Sequence, residues 1–312
     1  MEDNTPSQAS QTKFEASIAC RVTTDLDQSI VADLDIDGAS RCTTAGVRNI
    51  NIKDTDDMPD LAARIVDEYR LANASEATVV YPDTSDIDYF CSLAHCIDIA
   101  NYRYDLKSAD RKTVLTMIEL VHPKAVEYMS TEQFKTAIIV AANTNLTRDL
   151  HNRRCNVGQV PYFVKWARDL KQSFGGKIDL KVIEAEKELL DEGLRLLHAV
   201  GKGSEVGPAL ICLSYKGNPD SDEFMAMIGK GMVFDQGGMK IKLNDFSNMY
   251  ADKGGACACL GAFRGIVELG LRQNVVCTVS MAENVVNGTA YRPLRHNYQP
   301  QQSDGRDHEH GC

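Results

Sequence analysis

Between Met227 and Asp252 lies the stretch whose residue types and spacing could do chemistry. An apolar strand ends at Gly229-Lys230-Gly231, and a second short apolar run ends at Asp235, just ahead of Gly237-Gly238. Strand ends in open α/β sheets are where ligands bind. Paired glycines permit backbone conformations and close approaches that are closed to other residues. The pattern therefore sets a carboxylate and the lysines Lys230 and Lys242 beside a crevice. Asp252 follows, just before Gly254-Gly255 and a helix start, where the helix dipole favours a carboxylate that can point outward as a ligand. Spacing alone leaves a plainer alternative open: Asp235 as a turn residue, Asp252 as a helix cap and the lysines as solvated charges. The stretch is not a phosphate-binding loop, because it lacks the GxxxxGK[ST] pattern and Gly229-Lys-Gly231 alone is a weak signal.

Gly229-Lys-Gly-Met-Val-Phe-Asp-Gln-Gly-Gly238, Lys242 and Met249-Tyr-Ala-Asp-Lys-Gly-Gly-Ala256 resemble the metal-binding core of the leucyl (cytosol) aminopeptidases. That family's pattern is GKGxxFDSGG, a lysine four residues on, then MxxDMGGA. Ala282-Glu-Asn284 and Ala290-Tyr-Arg-Pro293 resemble its AEN and AYRP segments. Thr147-Arg-Asp-Leu-His-Asn152 with Asn156, and Ala100-Asn-Tyr-Arg-Tyr-Asp105, resemble segments further upstream. The likeness runs over residues 90–293 and is most specific over 224–293. Gln236 stands where the family has serine and Lys253 where it has methionine, and the stretch between Lys242 and Asp252 is one residue short.

The resemblance implies a peptidase that releases N-terminal residues, leucine-type, from peptides with two divalent metal ions, zinc or manganese. Asp235 would bridge both metals. Lys230 and Asp252 would complete the metal nearer the substrate's amino terminus, with Lys230 neutral so that it can coordinate. Lys242 would stay protonated, polarise the scissile carbonyl and stabilise the oxyanion. Met249 would line the pocket for the N-terminal side chain, and a water held by both metals would attack.

The likeness stops at Pro293. The family continues with GDV and NTDAEGR, which carry two further metal ligands and an arginine that holds bicarbonate. Here Leu294 to Cys312 is polar and rich in Gln and His, and Ser303-Asp-Gly-Arg306 lacks the glutamate and comes too early. The expectation is an incomplete catalytic domain whose last 19 residues come from a foreign reading frame, an alternative terminal exon or a mis-joined gene model. Such a chain would bind at most one metal weakly and be weakly active or inactive. The alternative is a non-catalytic truncated isoform that associates with full-length subunits. The homo-oligomer implied by the resemblance is a hexamer.

Other constellations carry less. Ser247 and Ser280 lack a nucleophile-elbow context, Cys257 and Cys259 read as core residues, and His308-Glu-His310 reads as part of a disordered tail. A net charge of −10, from 44 acidic and 34 basic residues, excludes a nucleic-acid partner, which needs a basic surface. No apolar stretch is long enough to span a membrane. Ten cysteines without a CxxC pair fit reduced thiols and a cytoplasmic location.

The elements that must position the site alternate. Helices are predicted over 60–71, 87–100, 131–150 (with Ser130 as its N-cap), 161–174, 186–200 and 255–269. Strands are predicted over 77–81, 113–120, 178–183, 210–215, 224–228 and 275–281. This order gives an α/β fold class, and the resemblance implies a macro-domain-like α/β unit followed by a truncated α/β catalytic domain with a mixed sheet. The expected divisions are a disordered 1–15, an N-terminal domain over 16–152, a partial catalytic domain over 153–293 and a disordered tail over 294–312.

Overall fold

The computed structural model describes residues 31–35, 47–51, 57–71, 76–81, 85–104, 115, 117–243 and 247–286. The expectations for residues 1–15, Ala290–Pro293 and 294–312 fall outside these described residues. The chain separates into two compact units, Met1–Asp149 with Leu260–Gln273, and Leu150–Cys259 with Asn274–Cys312. Among the described residues it is α/β, with two four-stranded sheets, one of them mixed.

In the first unit, β1 (Val31–Asp35), β2 (Val47–Asn51), β3 (Glu76–Val80) and β4 (Met117–Val121) form an all-parallel sheet in the order β2-β1-β3-β4. Parallel neighbours need crossover connections. Helices α1 (Met58–Leu71) and α2 (Ile87–Asn101) lie in those connections. One stripe of α1 buries Leu61, Ile65, Val66 and Tyr69, at helical spacing. Asp86 caps α2 by accepting from the Tyr89 backbone N–H at 2.9 Å. Phe90 is fully buried, with the rings of Tyr81, Tyr128, Phe134 and His122 centred 4.6, 5.5, 5.8 and 5.9 Å from its own. A short helix α3 (Ala125–Met129) precedes the long α4 (Glu132–Asn152). The α4 cap is Thr131, whose Oγ1 accepts from Phe134 N–H at 3.2 Å. Ser130, predicted for that role, instead ends α3 and donates its hydroxyl to Glu127 O.

In the second unit, α5 (Val160–Ser173) opens with proline in its first turn. It leads into β5 (Ile178–Ile183), which pairs antiparallel with β6 (Ala209–Lys216). The sheet order is β5-β6-β8-β7, with β7 (Met225–Asp235) on the edge and parallel to β8 (Asn274–Asn284). The predicted helix over 186–200 is two helices, α6 (Glu186–Asp191) and α7 (Arg195–Gly201). Gly193 at φ 77° ends the first, and Leu194 N–H to Leu189 O (2.8 Å) with Gly193 N–H to Leu190 O (3.1 Å) closes it as a Schellman motif. Helix α8 (Gly254–Leu269) follows the site segment, and Gly270 at φ 62° ends it.

Candidate active site

The site starts from β7, which does not end at Gly229-Lys230-Gly231 as expected. It is one strand of 11 residues. The glycines are there for contact. A Cβ at Gly229 would lie 2.7 Å from Ala256 Cα and 2.8 Å from Gly255 O, so this strand can pass the first turn of α8 only as glycine.

Strict alternation would put Lys230 and Asp235, five residues apart, on opposite faces of the sheet. The register with β8 prevents this. Lys230 pairs with Ser280 and Met232 with Ala282, but Phe234 pairs with Glu283 and Asp235 with Asn284. Five steps along β7 match four along β8, because one extra residue bulges out between Met232 and Phe234. Asp235 is returned to the face that carries Lys230, Ser280 and Asn284. Asn284 confirms the placement: its Nδ2 donates to Asp235 Oδ1 at 2.8 Å.

After Asp235 the chain turns through Gly237 at φ 99° and Gly238 at φ 63°. Lys242 N–H donates to Gln236 O at 3.0 Å, closing the loop. Lys242 Nζ then donates to Asp235 Oδ2 at 2.7 Å and sits 3.2 Å from Met249 Sδ. Asp235 Oδ1 also accepts from Gly237 N–H at 3.1 Å. Burial pushes the Asp235 carboxyl up, but the Lys242 hydrogen bond, the Asn284 amide, the Lys242 charge and the Gly237 N–H outweigh it and hold it below the usual carboxylate range.

The 3-10 turn Ser247–Ala251 runs along the open edge of β7, where Met232 N–H donates to Asp252 O at 3.2 Å. Both Asp252 carboxylate oxygens accept from Lys230 Nζ at 2.7 Å. The five residues singled out in the sequence thus form two lysine–aspartate pairs, Lys230–Asp252 and Lys242–Asp235, with Met249 against the second. The Asp252 carboxylate is engaged by Lys230, whose side chain is nonetheless 63% exposed, and Asp235 also accepts from Gly237 N–H as a turn residue does.

Two residues without an assigned role in the sequence belong to this arrangement. Asn284 fixes one oxygen of Asp235, and only its place in the Ala282-Glu-Asn284 segment signalled it. Lys253 is fully buried and donates to Arg153 O at 2.9 Å and to Tyr250 O. A lysine among glycines beside a helix start gave no sign of that burial.

What the arrangement offers a metal is two carboxylates and one amine. Among the described residues no group of three or more His, Cys, Asp and Glu side chains could hold a metal ion. The donors in these two pairs, Asp235 and Asp252 oxygens with the Lys230 nitrogen, suit a hard or borderline dication in kind.

Comparison with known proteins identifies the frame around these residues. Residues 145–295 match the catalytic-domain model of the cytosol aminopeptidase family. A probable cytosol aminopeptidase of Aquifex aeolicus (strain VF5) is 33% identical over 74% of this chain and 46% of its own length. One of Chlamydia abortus is 30% identical over 76% of this chain and 48% of its own length. One of Sulfurihydrogenibium sp. is 40% identical over 50% of this chain and 30% of its own length. The chain spans about half the length of the curated relatives it matches. Among solved structures, the bottromycin maturation enzyme BotP in complex with Mn superposes with a TM-score of 0.69 at 25% identity, over 85% of this chain and 62% of that one. Through residues 145–295, the chain belongs to the cytosol aminopeptidase family by that family's catalytic domain.

Proposed function

We propose that this chain contributes Lys230, Asp235, Asp252 and Lys242 to a metal-dependent site that releases N-terminal residues, leucine-type, from peptides. One observation carries the reading: the bulge in β7 returns Asp235 to the face of Lys230, and each of the two residues meets a partner of opposite charge there. Bulges are over-represented at sheet edges and next to active sites, where they re-aim a side chain.

Lys230, Asp235 and Asp252 would hold the metal, zinc or manganese. A bound dication would supply Lewis acidity and an activated water. The other steps belong to the chain. Asn284 and Gly237 N–H orient one Asp235 oxygen. Lys242, whose amine donates to Asp235 Oδ2, presents a donor to the carbonyl oxygen of the substrate, where negative charge develops. Met249, in contact with the Lys242 amine, forms the apolar wall for the substrate's first side chain.

Zinc takes about four donors per ion, so two carboxylates and an amine fall short of two ions. Residues 1–312 by themselves are therefore expected to bind at most one dication, weakly, and to hydrolyse leucyl amides slowly or not at all. The free thiols of Cys91, Cys155, Cys257 and Cys277 are in keeping with action in the cytosol. The deciding experiment is calorimetric titration of the purified chain with Mn²⁺, alongside a leucyl amide assay. A single weak site abolished by Asp235→Asn supports the reading. Absence of any cation binding removes the site, and normal turnover removes the expectation of weak activity.

A second reading, association of a non-catalytic chain with full-length subunits, is favoured by apolar side chains left in solvent in this unit. Ile228 on β7 is 82% exposed, and Met239 and Leu243 beyond it are 89% and 100% exposed. Co-purification of the chain with a full-length copy, lost on Ile228→Lys, would establish it.

A further inference from the structure

The turn that delivers Asp252 has little structure of its own. It is five residues of 3-10 helix, a geometry that is weak in isolation. Its backbone tie to β7 is the bond from Met232 N–H to Asp252 O. The contacts that hold it from the other side come from the end of α4 and the residues just after it. His151 Nε2 lies 3.0 Å from Ala251 O, 100 residues away in sequence, and so carries its proton there. The Arg154 guanidinium lies 3.7 Å above the Tyr250 ring. Cys155 is buried with Phe234 and Val285, and Met249 and Tyr250 pack on that cluster. Lys253 joins the two sides, because its ammonium donates to Arg153 O on one and to Tyr250 O on the other.

We infer that His151–Cys155 is a clamp that fixes Asp252 and Met249 against β7, with His151 and Lys253 as its positioning residues. Neither touches the reacting atoms. Both act on backbone carbonyls at residues 250, 251 and 153, and so on where the neighbouring Asp252 carboxylate stands. The Lys253 tie is a feature of this chain, since the resembling pattern has methionine there and methionine has no hydrogen to donate. That the clamped carboxylate serves a metal rests on the function proposed above; that the turn is clamped does not.

The Met232 amide reports the clamp without any metal, because its hydrogen is protected only while Asp252 O stays docked on the strand edge. Hydrogen exchange is measured on the whole chain as wild type, His151→Ala, His151→Gln and Lys253→Met. Mn²⁺ titration is run on the same samples. Loss of one hydrogen bond should speed Met232 exchange about five- to tenfold in His151→Ala and lower Mn²⁺ affinity by a similar factor. Glutamine can donate an N–H from a similar reach, so His151→Gln should restore both. Lys253→Met, nearly matched in volume, should speed Met232 exchange as well while the α2 amides keep wild-type protection.

Unchanged Met232 exchange in both His151→Ala and Lys253→Met overturns the clamp, even if Mn²⁺ affinity falls. So does His151→Gln behaving like His151→Ala. If Met232 exchange responds as described but the wild type takes up no Mn²⁺, the clamp stands and the proposed function fails.

Discussion

In the parallel sheet of the first unit, β3 and β4 carry one acidic residue each, Glu76 and Glu119, and Glu119 accepts from Thr78 Oγ1 on the neighbouring strand at 3.1 Å. In the mixed sheet of the second unit, β7 carries Lys230 and Asp235 on one face, and each pairs with a residue from beyond the strand. The difference follows from position. Strand β3 lies between β1 and β4, so both its edges are taken up by ladder bonds. Among the described residues β7 is an edge strand, and its outer side admits the turn that brings Asp252 and Met249. A bulge then redirects one side chain, a use to which edges and active sites often put them. One sheet contributes an apolar core; the other contributes a polar face on which charges can be assembled.

The sharpest way to break this contrast is to damage the apolar core and ask whether the charged face notices. Phe90→Ala should cost about 3–5 kcal/mol in urea unfolding of the first unit. Mn²⁺ affinity of the folded protein should be unchanged. A loss of affinity would show that the two regions do not divide the work.

Next comes the charged face. Asp235→Asn should lower Mn²⁺ affinity about 100-fold or more, since even outer partners of a metal ligand are worth 10–100-fold. Glu119→Gln, its counterpart in the parallel sheet, should leave calorimetric titration with Mn²⁺ as it is.

Alkaline pH tests a property the units share. Burial pushes the Cys277 thiol in the second unit up to about 12, and burial with the Asp88 charge raises the Cys91 thiol in the first. For Cys277 the folded value lies above the ordinary 9.0, so the unfolded chain gives up this proton first. Its contribution to stability is complete below pH 9 and is lost as pH rises toward 12, with a slope of at most about 1.4 kcal/mol per pH unit. Urea midpoints measured from pH 8 to 11 should fall above pH 9, and Cys277→Ala should flatten that fall.

The smallest effect belongs to the surface. Lys165 and Asp169 form an i,i+4 pair on α5, with side chains 73% and 50% exposed. Lys165→Met should change stability by no more than about 0.5 kcal/mol in the same denaturation assay. A larger loss would mean that charge matters well away from β7.

Much of the fold was legible in the residues because local rules decided it. Ile178–Ile183 was predicted with its observed ends, the apolar stripe of α1 had helical spacing, and Gly270 marked the end of α8. The misses have physical reasons. The run from Glu186 to Val200 keeps its leucines at helical intervals, so the pattern reads through Gly193. The break depends on a left-handed backbone at that one residue. Gly229 and Gly231 lower strand propensity and read as a strand end. They lie inside β7 because α8 and β8 press against a backbone that has no room for a Cβ.

For the site, the sequence by itself marked the candidates: Lys230, Asp235, Lys242 and Asp252 by type and spacing, and Met249 through the family resemblance. Only the tertiary structure decided which lysine meets which aspartate, that Asn284 holds Asp235, and that His151 and a buried Lys253 hold the turn. Those facts depend on a register shift between β7 and β8 and on contacts between segments 100 residues apart. A side chain's type is written in its own position. The face it occupies is set by the strands and turns packed around it.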